Sequence, residues 1–81
     1  MSSRKLGVTF SYDYRDPADV AHRAWADAKR RLAMDVFSTL SPNQEYTIRY
    51  HEERRPADRV TGRIECAIIA TVTANEYARI T

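Results

Sequence analysis

His51, Glu52 and Glu53, with Asp58 a few residues on, form the group in this chain whose side chains could move protons or hold a metal. Imidazole and carboxylates are the groups both tasks use. Their spacing works against convergence. In an alternating stretch His51 and Glu53 share one face while Glu52 points to the other, and charged hairpin ends commonly serve solubility. His22, flanked by Ala21 and Arg23, reads as a surface histidine. Cys66 is the single cysteine, so neither an intrachain disulfide nor a thiolate zinc cluster can be built. It falls on an apolar parity, where a thiol behaves as a small hydrophobe with poor thiolate character. Gly7 and Gly62 are the two glycines, which excludes glycine-rich phosphate loops of either common pattern. Gly62 is expected where another group, such as Trp25, sits close to the backbone. No catalytic set, cofactor site or metal site is expected, and the chain is read as a non-enzyme.

The elements that position these residues follow from periodicity. Leu6, Val8, Phe10, Tyr12 and Tyr14 alternate with Gly7, Thr9, Ser11 and Asp13, a first strand with an aromatic inner face. Asp16-Pro17 predicts a helix start, with Asp16 as N-cap acceptor, Pro17 at the first helical position and Asp19 near the positive end of the dipole. From Pro17 to Leu40 there is no glycine and no internal proline, and Val20, Ala21, Ala24, Trp25, Ala28, Leu32, Val36 and Leu40 recur at helical steps. Ser41-Pro42-Asn43 ends that helix. Tyr46, Ile48 and Tyr50 alternate with Thr47, Arg49 and His51 in a second strand. From Val60 to Ala74 every even position is small or apolar, a long third strand.

The expected architecture is α+β: a single β-α-β-β domain over residues 1–81, a small three-stranded, largely antiparallel sheet in order 1-3-2, and one long helix packed on one face. A parallel pairing of the first two strands through a right-handed crossover is the alternative. A turn over Arg54–Asp58 sets Arg54 against Val60, Tyr50 against Ile64, Ile48 against Cys66 and Tyr46 against Ile68, with Arg49 opposite Glu65 outside. The third strand then spans roughly 50 Å at about 3.3 Å per residue, against roughly 36 Å of helix at about 1.5 Å per residue. Either a bulge near Ala67–Ala70 bends it, or its far half reaches another chain. Residues 75–81 are left open between helix and strand.

The helix bears a second apolar stripe. Ala21, Trp25, Ala28, Leu32 and Val36 point one way, while Ala26, Ala33, Met34 and Phe37 cluster on a different side with Arg23 and Arg30. Phe37 either wraps under the helix end into the core or belongs to an exposed patch that binds a partner. With 81 residues, the core is small and dimerisation is a natural supplement.

Thirteen basic and eleven acidic residues give a net charge of +2, a near balance that lends little support to nucleic-acid binding. Eleven of the basic residues are Arg, and eleven Ala stand beside them, the bias of GC-rich coding DNA. No stretch is apolar enough to cross a membrane or to act as a secretory leader, and a cytoplasmic setting is expected. The expected function is a small protein-binding module and homodimer, a bacterial or phage accessory or inhibitor protein acting on a host protein. Its expected interface is Ala26, Arg30, Ala33, Met34 and Phe37 on the helix, or Ile69, Thr71 and Thr73 on the third strand. One alternative is a nucleic-acid-binding module using Arg49, His51, Arg54, Arg55 and Arg63. Another is a small enzyme or ligand-binding protein whose pocket forms between subunits from His51, Tyr50 and Tyr12.

Overall fold

The computed structural model describes residues 3–75, in the order β1 (Ser3–Asp13), α1 (Ala18–Thr39), β2 (Tyr46–Arg54) and β3 (Arg63–Ala74). All strand pairs are antiparallel and the sheet order is β1-β3-β2, as the apolar character of β3 requires of a central strand. Even-numbered residues face α1. Ile68, Ala70 and Val72 of β3 are buried against Ala28, Leu32 and Val36 of α1, with Leu6, Val8, Phe10, Trp25, Leu40, Tyr46 and Ile48 packed around them. The Phe10 and Trp25 rings meet edge to face at 4.7 Å between centroids, a favoured aromatic geometry.

The hairpin register differs from expectation. Tyr50 lies opposite Ala70, Ile48 opposite Val72 and Arg54 opposite Cys66, so β2 pairs six residues further along β3. Arg49 accordingly faces Thr71, and Glu65 lies level with Arg55, whose N–H donates to the Glu65 carbonyl at 3.0 Å. An even slip leaves every inward side chain inward, so alternation could not detect it. The loop chemistry decides it. Asp58 Oδ1 accepts from the N–H groups of Val60 and Thr61 at 2.8 and 2.9 Å, an Asx-type turn. The Gly62 N–H donates to the Asp58 carbonyl at 2.8 Å. Gly62 has φ +78°, the left-handed conformation glycine adopts without a Cβ penalty. Val60 is therefore in the loop, 92% exposed, and β3 begins at Arg63.

Three further expectations are corrected. Gly62 is approached by Tyr14 and Arg15, not by Trp25: a Cβ there would lie 2.9 Å from Arg15 Nη2 and 3.1 Å from Tyr14 Cε1. Pro17 occupies the N-cap position with no side-chain cap, because Asp16 Oδ2 accepts from the Asp13 N–H instead. β3 has neither a bulge nor a projecting half; each of its residues from Arg63 to Thr73 is matched one for one by β1, and Cys66 to Ala74 by β2. The length mismatch shrinks to about half because β3 has 12 residues and α1 has 22, lengths of about 40 and 33 Å. Of the open segment 75–81, only Asn75 is described; its N–H donates to the Glu45 carbonyl at 2.9 Å, and the rest lies outside the described residues.

The β1–α1 connection locks onto the hairpin loop. Arg15 donates from its backbone N–H and Nε to Asp13 Oδ1, both at 2.8 Å, and from Nη2 to Asp13 Oδ2 at 2.7 Å. The same Nη2 reaches the Thr61 carbonyl at 3.3 Å, and the guanidinium stands over the Tyr14 ring, 5.4 Å from its centroid. These hydrogen bonds hold the Asp13 carboxyl at about 2, well under its ordinary value.

Candidate functional site

The second stripe of α1 stays outside the core. Its direction is set by Ala28, Leu32 and Val36, which the sheet buries on the opposite side. Phe37 is 72% exposed and Met34 66% exposed, so Phe37 does not wrap under the helix end. Ala26 and Arg30 are exposed beside them and Ala33 is half-buried. Arg30 rests on Asp27 at 3.4 Å, an exposed helical pair that leaves its charge on the patch rim.

Neighbouring elements extend this patch. Lys29 Nζ pairs with Glu52 Oε2 at 3.3 Å, and the Ser41 N–H donates to the Tyr46 hydroxyl at 2.8 Å, so α1 and β2 run past each other in opposite directions. Tyr50 lies on β2 between those two contacts. It is 56% exposed although its parity places it on the helix side. Alternation placed Tyr50 on the inner face correctly but could not show that α1 leans on β1 and β3 and leaves that part of β2 uncovered.

Odd-numbered residues occupy the opposite, open face of the sheet. Ile69, Thr71 and Thr73 lie along its midline, half-buried, and both backbone edges of this half of β3 are already bonded within the chain. Another strand therefore cannot add there. Only their side chains remain available to a partner. Arg49, His51, Arg55 and Arg63 share this open face, whereas Arg54 points to the helix side. The basic groups alternate with Glu53, Glu65 and Asp13, and Arg63 Nη1 donates to Ser11 Oγ at 3.3 Å. Phe10 and Tyr46 lie on the other side with the core, so the open face has no aromatic platform for stacked bases among the described residues. An open groove of about 340 Å³ runs between the strands, flanked by Thr9, Ser11, Glu53, Arg55, Glu65 and Ala67.

His51 Nε2 stands 3.4 Å from Glu53 Oε2 with both side chains more than half exposed, a solvated contact on a hairpin arm. Glu52 is turned to the helix by its pairing with Lys29. Asp58 is occupied by its own turn: the Thr61 and Val60 N–H groups hold its carboxyl low. Among the described residues no group of three or more His, Cys, Asp and Glu side chains is placed to hold a metal. Tyr50 and His51 lie on opposite faces, and β3 separates both from Tyr12, so these three are not brought together. Cys66 is buried, and that burial pushes its thiol up, away from the reactive thiolate. Among the described residues no helix is long and apolar enough to cross a membrane.

Comparison with known proteins finds no matching family, no matching curated protein and no matching solved structure.

Proposed function

We propose that this chain is a small, non-enzymatic protein-binding module whose docking surface is the second stripe of α1. The observation that carries the reading is the exposure of Phe37 and Met34, 72% and 66%, on the flank of a helix whose other flank is buried. Large apolar side chains clustered and rimmed by charge mark protein contacts more often than isolated exposed residues do. Phe37 and Met34 are residue types enriched at such contacts, and Arg30 supplies the polar rim. Tyr50 adds an exposed aromatic with a polar tip at the neighbouring strand. Self-association belongs to the same reading, since a chain of 81 residues gains from burying more apolar surface. The setting is that of a bacterial or phage accessory or inhibitor protein, acting in the cytoplasm on a host protein.

The test is capture from a nuclease-treated host lysate with the wild-type chain and with Phe37→Asp as paired baits. Proteins retained by the first and lost from the second support the reading. A partner retained equally by both places recognition elsewhere and removes the stripe from the mechanism.

A further inference from the structure

The two edges of the sheet differ in how they are guarded. β2 carries Arg49, Glu52, Glu53 and Arg54 within six residues, a density of charge that discourages pairing with another strand. β1 has no charged residue from Leu6 to Tyr12. The direction of its free backbone groups follows from its end: the Tyr14 N–H donates to the Gly62 carbonyl at 2.9 Å, in step with the β1–β3 register. Since alternate residues of an antiparallel strand turn N–H and C=O to the same side, the even-numbered residues of β1 bond β3. The odd ones turn outward. Asp13 agrees, for its N–H bonds Asp16 Oδ2 and its carbonyl accepts from the Asp16 N–H. Gly7, Thr9 and Ser11 thus present their N–H and C=O groups along an edge with no strand beside it among the described residues.

We infer that a second copy of this chain covers that edge, β1 pairing antiparallel with its two-fold mate to make one continuous six-stranded sheet. The register is selected by charge. Inward side chains must stay inward, so paired positions share parity. With the axis on Thr9, Lys5 faces the partner's Asp13, whose carboxylate is already bonded by its own Arg15 and would be shared between the two cations, Gly7 faces the partner's Ser11, and Val8 the partner's Phe10. Two-fold symmetry repeats the Lys5–Asp13 pair at the other end. Moving the axis to Val8 sets Lys5 against Ser11, and moving it to Phe10 carries Lys5 past the end of β1 at Asp13, so neither gives it a carboxylate. On the helix side Leu6, Val8, Phe10 and Tyr12 are half-buried, each with apolar surface left for the mate to cover. α1 lies over β1 and β3, so at a strand spacing of about 4.8 Å the two helices stand about 10 Å apart, close to the about 8–10 Å of packed helices.

This assignment rests on the reading that the chain self-associates, and it frees the α1 stripe for a different protein. The test is light scattering across micromolar concentrations on the wild type, Thr9→Pro and Phe37→Asp. The wild type is expected to pass from monomer to dimer. Thr9→Pro deletes the N–H at the axis, which faces away from β3 and is not needed by the intrachain ladder, and the dissociation constant rises at least about tenfold. Phe37→Asp leaves the dimer unchanged. As a second measurement that does not depend on tolerance of proline, Thr9→Cys links two copies on oxidation: hydrogen-bonded pairs hold their Cα atoms about 5.5 Å apart, within disulfide reach. Lys5→Cys, away from the axis, does not link to itself. A dimer that persists in folded Thr9→Pro and does not link through Thr9→Cys overturns the proposal. If that dimer is instead lost in Phe37→Asp, self-association stands and belongs to the α1 stripe. A wild type monomeric throughout overturns the proposal and self-association together, while capture of a different protein by the stripe is decided separately by the paired baits.

Discussion

Leu32 and Phe37 are both large apolar residues of α1, yet the structure assigns them opposite energetic roles. Leu32 is 0% exposed, enclosed by Ala28, Val36, Ile68 and Ala70. Truncation to alanine removes its transfer free energy and leaves a cavity in a thin core, a cost of about 2–5 kcal/mol. A chain of 81 residues is expected to have about 4–12 kcal/mol of stability in all, so Leu32→Ala removes a large share of it. Phe37, at 72% exposed, loses little on truncation, about 0.5 kcal/mol or less. The assay is urea unfolding followed by fluorescence of Trp25, the single tryptophan, whose edge-to-face packing on Phe10 is lost on unfolding. At a slope of about 1 kcal/mol per molar urea for a small domain, Leu32→Ala lowers the midpoint by about 2 M or more and Phe37→Ala by less than about 0.5 M. Equal losses from the two variants would refute the assignment of the two helix flanks.

Other outcomes follow from the loops and the open face. Asp13 is held at about 2, first by the Arg15 guanidinium hydrogen bonds, against 3.8 ordinarily. A carboxyl depressed in the folded state contributes stability that is present above its unfolded value and is lost as pH falls through the folded one. Stability is therefore expected to decline between pH values near 4 and 2, and Asp13→Asn should flatten that decline in acid titrations of the thermal midpoint. Asp58, lowered by the Thr61 and Val60 N–H groups, acts with the same sign, so Asp58→Asn should flatten it further. Gly62→Ala places a Cβ at φ +78° against Tyr14 and is expected to cost about 1–2 kcal/mol in thermal unfolding; a neutral substitution would mean the loop is not held as described. Arg49→Glu together with Arg63→Glu should leave folding and self-association unchanged. Binding to DNA or RNA that weakens steeply with salt and vanishes in that double variant would make the open face a nucleic-acid surface instead.

Alternation carried much of the fold in legible form. The parity of Leu6, Val8 and Phe10, of Ile48 and of Ile68, Ala70 and Val72 named the inner face, and the apolar third strand named its own central place. Parity is blind to an even slip, so the hairpin register waited on the Asp58 and Gly62 turn, whose hydrogen bonds compete with continued strand pairing. The candidate site was half legible. Periodicity separated the stripe of Ala26, Ala33, Met34 and Phe37 from the core stripe, but a helical wheel does not say how far a sheet wraps around it. Only the lean of α1 over β1 and β3 left Phe37 and Tyr50 open together.

By itself the amino-acid order determined the four elements, the face each buries and the scatter of the reactive side chains, because these depend on residue type and on spacing along one chain. Tertiary structure decided the remainder: which residues oppose which, which of two apolar helix flanks the sheet takes, and which strands form the edges of the sheet among the described residues. Those outcomes depend on the relative placement of elements, where an even slip or a small lean leaves every local pattern intact.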